Sequence, residues 1–134
     1  MPAYLLDTNH ASPLVTPGHP LRGRVLQQLD VGDTFAICVP ALVETLFGIG
    51  ILPRATQHRS EWARLQPVLP CYLTDEADAM LAADLQISLR RQGRQLATVD
   101  ALIAVIALRY NLILLTTDRD FQSVPNLQQA NWLR

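Results

Sequence analysis

The chain has 134 residues, of which 49% are hydrophobic and 17% are charged, and its formal net charge at pH 7 is −1. A chain of this length and composition is expected to fold as one globular domain, residues 1–134, around a sizeable apolar core. The nearly neutral charge is not typical of a strongly basic nucleic-acid-binding protein, and no apolar run reaches the ~18 residues that a membrane-spanning helix needs.

In the first half of the chain, short apolar runs alternate with helix-like segments. The N-terminus has no basic region and reaches Asp7 too early for a signal peptide, so we expect a cytoplasmic protein. A buried strand is predicted to end at Leu6, followed by a proline-punctuated loop and a helix over residues 21–29. The next strand is predicted over residues 34–39, and Pro40 suits the first turn of the helix after it.

The middle of the chain predicts two further helices separated by a weak strand. A polar helix is expected near residues 55–65, and a short apolar stretch, residues 68–73, is the third strand candidate. Thr74 is predicted to cap a long helix that ends at Gly93. The inner face of this helix is predicted to consist of four apolar side chains: Met80, Leu81, Leu85 and Leu89.

The last third of the chain predicts one more helix and two strands. Thr98 is predicted to cap that helix, which places Asp100 in its first turn, and Asn111 marks its end. An apolar strand follows over residues 112–115, and an edge strand is expected to end near Trp132. Because strand-like and helix-like segments alternate along the chain, we predict an α/β fold with a mainly parallel sheet.

Four carboxylates lie at or just beyond the ends of apolar runs: Asp7, Glu44, Asp100 and Asp118. Ligand chemistry in open α/β sheets gathers at the carboxyl ends of the strands, so these acids are expected to converge. Converging acids would repel one another by about 3 kcal/mol per pair, for a spacing of ~5 Å and an effective dielectric constant near ~20. A cation would relieve this repulsion, and Mg²⁺ or Mn²⁺ is the hard ion that carboxylate and water oxygens favour.

Each of these acids, taken alone, also has a structural interpretation. An aspartate at a strand end is more often a turn former or a helix cap than a metal ligand, which applies to Asp7 and Asp118. Asp100 could act as a helix N-terminal charge worth roughly 0.3–1 kcal/mol. Glu44 is harder to explain in this way, because an inward-facing glutamate in an apolar helix needs a partner.

Other kinds of site are excluded by residues or patterns that the chain lacks. All eleven basic residues are arginines, so the lysine that a phosphate-binding P-loop needs is missing. The three histidines show no ligand spacing for zinc, and no serine lies in a nucleophile elbow. His10 lies near Asp7 in the sequence, but we interpret it as a loop histidine without a task.

Four motifs occur in a fixed order along the chain. Leu-Asp-Thr-Asn ends at Asn9, Val-Glu ends at Glu44, Asp-Ala-Leu-Ile-Ala begins at Asp100, and Leu-Leu-Thr-Thr-Asp-Arg-Asp-Phe ends at Phe121. In this order, and in a chain of this length, they resemble the PIN-domain family. More specifically, they resemble the VapC-type ribonuclease toxins of bacterial toxin–antitoxin modules. The resemblance extends over nearly the whole chain, from residue 5 to residue 132.

The resemblance implies a three-layer α/β/α PIN-like fold and a metal site at the positions that match the family's motifs. The expected catalytic residues are Asp7, Glu44, Asp100 and Asp118. The expected ligands of Mg²⁺ or Mn²⁺ are Asp7, Asp100 and Asp118. The supporting pocket would contain Thr8, Asn9, Thr116 and Asp120. The last motif departs from the pattern common in the family, so Asp120 could share or replace the role of Asp118.

The function that the resemblance implies is that of a metal-dependent endoribonuclease toxin, which a cognate antitoxin would neutralise and which would form a homodimer. A local arginine cluster is a candidate rim for the RNA backbone: Arg90, Arg91 and Arg94. The same arginines could equally be a solvated helix end. The alternatives are a non-catalytic PIN-like module that binds RNA or protein, and a metal-dependent DNA nuclease or phosphatase.

Overall fold

The computed structural model describes residues 1–134 and has a five-stranded parallel sheet at its centre. The strand order is β3-β2-β1-β4-β5, and every pairing between neighbouring strands is parallel. The strands are β1 (Ala3–Leu6), β2 (Thr34–Cys38), β3 (Cys71–Tyr72), β4 (Ile113–Leu115) and β5 (Gln129–Ala130). The prediction of an α/β fold with a mainly parallel sheet is confirmed.

Six α-helices cover the sheet and complete the three-layer α/β/α arrangement that the resemblance implied. They are α1 (Thr8–Ala11), α2 (Pro20–Asp30), α3 (Val39–Gly50), α4 (Ala55–Leu65), α5 (Glu76–Arg91) and α6 (Thr98–Arg109). Short 3₁₀ helices lie at Ser12–Val15, Gln66–Val68 and Arg119–Ser123. No helix combines the length and the apolar character that spanning a bilayer requires.

The position of β1 at the centre of the sheet brings distant parts of the chain together. β1 pairs with β2 on one side and with β4 on the other, so Leu5 lies opposite both Ala36 and Leu114. These three residues are buried because helices cover both faces of the sheet, which explains the continuous apolar runs in the sequence. The backbone N–H of Asp7 donates to the carbonyl of Leu115 at 3.0 Å. The residues that follow β1 and β4 therefore lie side by side.

The packed face of helix α5 matches the predicted one in part: Leu89 is buried and Leu85 is partly buried against the core, as predicted. Met80 and Leu81 are 65% and 46% exposed, so their prediction as inner-face residues is wrong. Its buried residues are Asp78, Ala82 and Leu89. The reason is that the carboxylate of Asp78 pairs with Arg109 of α6, which turns this face of α5 towards α6.

The predicted N-caps of α5 and α6 are both wrong by one residue. Asp75, not Thr74, caps α5: it accepts a hydrogen bond from the N–H of Asp78, and the Asp78 carboxylate accepts from the N–H of Asp75. This reciprocal capping box satisfies two backbone donors, whereas a single hydroxyl would satisfy one. The N-cap position of α6 is Ala97, which provides no side-chain hydrogen bond, and Thr98 is the first residue of the helix.

The strands at the two edges of the sheet are shorter than predicted. β3 contains only Cys71–Tyr72, because the 3₁₀ helix Gln66–Val68 occupies the start of the apolar stretch. β5 ends at Ala130, before Trp132. Trp132 packs instead against the ring of Tyr4, with the ring centroids 4.9 Å apart, and this contact anchors the C-terminal segment on the sheet.

Candidate acidic site at the carboxyl edge of the sheet

One open cleft, of about 520 Å³, lies where the chain leaves β1, β2 and β4. Its lining is entirely polar: Asp7, Thr8, Asn9, Ser12, Glu44, Asp100 and Asp118. The structure therefore brings together the four acids that were predicted to be catalytic, although they are spread over most of the chain. Of the predicted supporting residues, Thr116 lies one hydrogen bond from Asp7, and Asp120 lies beside Asp118.

Asp7 is the most buried acid of the cleft, with 5% of its surface exposed. As the N-cap of α1, it accepts the backbone N–H of Thr8 at Oδ1, at a distance of 2.8 Å. Its Oδ2 accepts hydrogen bonds from Nδ2 of Asn9 at 3.1 Å and from the hydroxyl of Thr116 at 2.6 Å. These three donors fix the orientation of the carboxylate and leave Oδ1 able to accept a further partner.

Thr116 connects Asp7 to Asp118. The Thr116 hydroxyl donates to Asp7 and accepts the backbone N–H of Asp118 at 3.0 Å. Asp118 is itself the N-cap of the 3₁₀ helix that follows, because its Oδ1 accepts the N–H of Asp120 at 2.9 Å. Asp118 therefore has the capping role expected of an aspartate after a strand, and it lines the cleft at the same time.

Glu44 faces the cleft from the exposed side of α3. This helix buries Ala41, Thr45 and Ile49 against the rest of the protein, so Glu44 between them points away from the core. Its Oε1 accepts a hydrogen bond from the hydroxyl of Thr8 at 3.3 Å. A glutamate in an apolar helix is thus explained by its exposure to the cleft, without a buried partner.

Asp100, Asp118 and Asp120 form the densest group of acids. One carboxylate oxygen from each lies within 4.8 Å of the others. Burial, followed by the charges of Asp7, Asp118, Glu44 and Asp120, raises the pKa of Asp100 from 3.8 to about 6. Both Asp118 and Asp120 are therefore close enough to act on Asp100, and Asp118 differs from Asp120 in being partly buried.

No basic side chain neutralises this group. The four ion pairs of the protein join Glu61 to two arginines and Arg109 to two aspartates at the N-terminus of α5, and none includes an acid of the cleft. All candidate ligand atoms are carboxylate oxygens, which are the ligands that Mg²⁺ and Mn²⁺ prefer. The site therefore fits a hard divalent cation, which would favour the ionised form of Asp100 that its surroundings now disfavour.

Two further clefts adjoin the acidic one and contain arginine. The first, of about 530 Å³, includes Asp118, Arg119 and Arg134. The second, of about 460 Å³, includes Arg119, Asp120 and Arg94. Arg119 lines both, so a positive side chain borders the same clefts as Asp118 and Asp120 without forming an ion pair with either. From the sequence, Arg119 was identified only as part of a motif.

Only one of the three arginines of the predicted rim lines a cleft next to the acidic site. Arg94 lines the same cleft as Asp120. Arg90 and Arg91 are exposed in the last turn of α5, and they line neither of the two arginine-containing clefts.

His10 has contacts that could not be predicted from its sequence neighbours. It lies in α1, not in a loop, and it has no exposed surface. Its Nδ1 lies 2.7 Å from Oδ1 of Asn9, and its Nε2 accepts the backbone N–H of Trp132 at 3.0 Å. The position of His10 directly after Asn9 was the one available signal, because Trp132 lies 122 positions further along the chain.

The chain is similar to known proteins in sequence pattern and in fold. The family model of the PIN domain matches residues 4–127. The fold is similar to that of VapBC2 from Rickettsia felis, solved bound to a promoter DNA fragment, with a TM-score of 0.84, 24% identity and coverage of 97% of this chain and 98% of that chain.

Two further solved structures show the same likeness. DNA-bound VapBC from Salmonella typhimurium has a TM-score of 0.82 and 21% identity, with coverage of 98% of this chain and 99% of that chain. VapC20 from Mycobacterium tuberculosis, described as a sarcin-ricin loop cleaving toxin, has a TM-score of 0.67 and 16% identity, with coverage of 91% and 95%. At these identities the likeness concerns the fold. Among curated proteins, no sequence matches the chain.

Proposed function

The chain belongs to the PIN-domain family, and on that premise we propose that it is a Mg²⁺- or Mn²⁺-dependent endoribonuclease toxin of the VapC type. The observation that carries the proposal is the convergence of Asp7, Glu44, Asp100 and Asp118 in one open cleft without a basic partner. A similar fold occurs in a toxin described as cleaving the sarcin-ricin loop, which supports RNA as the substrate class.

The proposed metal ligands are Asp7, Asp100 and Asp118, with Asp120 as the alternative to Asp118. When bound, the ion would neutralise these acids and polarise the scissile phosphate. The protein prepares the ligands in advance: hydrogen bonds from Thr8, Asn9 and Thr116 hold Asp7 in one orientation. The same Thr116 hydroxyl positions the backbone of Asp118, so the two ligands are set relative to one another.

The proposed reaction is hydrolysis of an RNA phosphodiester by in-line attack of water. The water oxygen bonds to phosphorus and the bond from phosphorus to O3′ breaks, leaving a 5′-phosphate and a 3′-hydroxyl. Glu44 is the proposed group that orients the water and accepts its proton, because it is exposed to the cleft and is held only by Thr8. Asp7 is less suited to this role, since three donors already hold its carboxylate.

RNA would reach the acids along the arginine-containing clefts. Arg119, Arg134 and Arg94 lie in the clefts that adjoin the acidic site, where they could contact backbone phosphates on either side of the scissile bond. Arg90 and Arg91 would extend this positive surface along the end of α5. Contacts of this kind position a strand without reading its sequence.

An antitoxin is the proposed protein partner, and α3 offers a surface for it. Val43, Phe47 and Ile51 are 62%, 55% and 71% exposed, next to a small groove between α3 and α4 that includes Leu46 and Trp62. The similar folds occur in VapBC complexes, which supports a partner of this kind. The homodimer is likewise proposed.

The proposal is tested by cleavage of a defined pool of structured RNAs by purified, antitoxin-free protein. Reactions contain Mg²⁺, Mn²⁺ or EDTA, and single-stranded DNA and a simple phosphate ester are assayed in parallel. We expect RNA cuts that require the metal and disappear with EDTA. Cutting of DNA alone, or hydrolysis of the ester alone, would replace the ribonuclease with one of the other metal-dependent hydrolases.

Two matched variants exclude a contaminating nuclease. Asp7→Asn should lower cleavage by about 100-fold or more, because supporting residues of a metal site already account for 10–100-fold. Asp84→Asn makes the same change of charge at an exposed residue of α5 and should cleave like the wild type. No cleavage by folded wild-type protein that binds Mn²⁺ would favour the non-catalytic binding module.

A further inference from the structure

The hydrogen bonds around Asp7 continue through His10 to the C-terminal segment. The backbone N–H of Trp132 donates to Nε2 of His10 at 3.0 Å, and Nδ1 of His10 lies 2.7 Å from Oδ1 of Asn9. Asn9 in turn donates through Nδ2 to Oδ2 of Asp7 at 3.1 Å. Since His10 has no exposed surface, its part of this path is shielded from water.

The direction of each bond in the path follows from two backbone N–H groups, which can only donate. Because the N–H of Trp132 points at Nε2 of His10, that nitrogen accepts, and the ring proton is on Nδ1. Because the N–H of Thr117 lies 3.1 Å from Oδ1 of Asn9, that atom is the amide oxygen, and the amide nitrogen faces Asp7. Burial lowers the pKa of His10 to about 4, so the neutral ring that this path needs is the form present at neutral pH.

We propose that His10 is a positioning residue of the acidic site: its Nδ1–H holds the amide of Asn9, and the amide holds Oδ2 of Asp7. The role rests on the proposed metal-dependent function, for which the orientation of Asp7 matters. If the amide of Asn9 turned over, its oxygen would face the carboxylate of Asp7, and the two acceptors would repel each other. Thr117 and His10 both oppose this flip, but Thr117 is exposed, so His10 supplies the donor that water does not compete with.

The hydrogen bonds of the two ring nitrogens of His10 can be removed one at a time by substitution. In His10→Asn the short amide takes the place of Nδ1 and can donate to Asn9, but nothing accepts the N–H of Trp132. In His10→Gln the longer amide takes the place of Nε2 and can accept from Trp132, but nothing replaces Nδ1. Each variant loses one of the two hydrogen bonds of His10, so a purely structural role predicts the same site properties in both.

The discriminating measurement is the affinity for Mn²⁺ by titration calorimetry, with urea unfolding to determine the folded fraction and RNA cleavage measured per folded molecule. We expect His10→Asn to bind Mn²⁺ within about twofold of the wild type. We expect His10→Gln to bind about tenfold more weakly, at the lower end of the range for residues that support metal ligands. In the wild type, ¹⁵N spectra of the ring should place the proton on Nδ1.

Equal Mn²⁺ affinities of the two variants would overturn the positioning role and leave the nuclease proposal standing. A ring proton on Nε2 would also overturn the positioning role. Because the ¹⁵N measurement uses the wild-type protein, it tests this role even if both variants fail to fold. A folded wild-type protein that binds no Mn²⁺ would overturn the metal-dependent function and the role of His10 together.

Discussion

Two groups of carboxylates lie at the N-termini of consecutive helices, and the charges that surround them have opposite signs. Asp75 and Asp78 begin α5 and face Arg109 of α6, whereas Asp100 begins α6 and lies among acids. A hydrogen bond from the backbone of Asp78, and then the charge of Arg109, lower the pKa of Asp75. Burial and four acidic neighbours raise the pKa of Asp100 to about 6.

The difference shows that local sequence does not distinguish a structural acid from an acid of the candidate site. An acid in the first turn of a helix interacts favourably with the helix dipole, by roughly 0.3–1 kcal/mol, in both groups. Tertiary placement distinguishes them: Arg109 pairs with one group, whereas burial and further acids surround the other. The paired group connects two helices, whereas the unpaired group retains a charge that an external cation can neutralise.

The largest change in the free energy of unfolding is expected when the paired group loses its arginine. Arg109→Met should lower the free energy of unfolding by about 3 kcal/mol, because it leaves the buried carboxylate of Asp78 without its cation. Urea unfolding measures this loss, and Arg90→Met, at an exposed residue of α5, is the matched control. A loss no larger than that of the control would contradict the structural role of the pair.

Addition of Mn²⁺ should stabilise the protein through the unpaired acids and not through the paired group. At about 100 times its dissociation constant, Mn²⁺ should raise the free energy of unfolding of the wild type by about 2.7 kcal/mol. Arg109→Met should gain the same amount, because its change lies in the other group, whereas Asp100→Asn should gain much less. Urea midpoints in Mn²⁺ and in EDTA measure these gains. The same gain in Asp100→Asn as in the wild type would remove Asp100 from the ligand set.

The smallest effect concerns pH in the absence of metal. The pKa of Asp100 is about 6 in the folded protein against an ordinary 3.8, so the folded state holds the proton more tightly between these values. The contribution of Asp100 to stability therefore falls as the pH rises through this window. Asp100→Asn lacks this loss, so its stability relative to the wild type should increase from about pH 4 to pH 6, by roughly 1–2 kcal/mol after solvent screening.

The contribution of His10 to stability should change with pH in the opposite direction, over nearly the same pH range. Its pKa falls from 6.5 to about 4 on folding, so the unfolded state binds the proton and stability decreases as the pH falls between these values. The two contributions oppose each other, so, relative to the wild type, urea midpoints in EDTA should fall with rising pH in His10→Gln and increase in Asp100→Asn. Parallel pH curves for all three proteins would show that neither shift exists.

Much of the fold could be predicted because the relevant patterns are local. β1, β2 and β4 are buried on both faces and read as continuous apolar runs, and the helix predicted over residues 55–65 is α4, Ala55–Leu65. The convergence of the acids also followed from local rules, because parallel strands end at the same edge of the sheet. Asp7 and Asp118 could therefore be placed near one another from the sequence alone.

The rest depended on contacts between distant positions. Part of the inner face of α5 was assigned wrongly because Asp78, the residue that fixes it, is charged, and its partner Arg109 lies 31 positions further on. The contacts of His10 were missed for the same reason, since Trp132 accounts for one of its two hydrogen bonds. The choice between Asp118 and Asp120 depends on the geometry of one 3₁₀ turn, in which both lie within 4.8 Å of Asp100.

The central position of β1 also affects the order in which its two neighbouring strands can pair with it during synthesis. β2 follows β1 closely in the chain, whereas β4 comes near its end, and the bond between Thr116 and Asp7 joins residues 109 positions apart. A nascent chain can therefore pair β1 with β2 early, but it cannot bring Asp118 beside Asp7 until most of it has left the ribosome. Because Asp100 and Asp118 lie in the last third of the chain, a nascent chain that has paired β1 with β2 still lacks two of the four acids of the cleft.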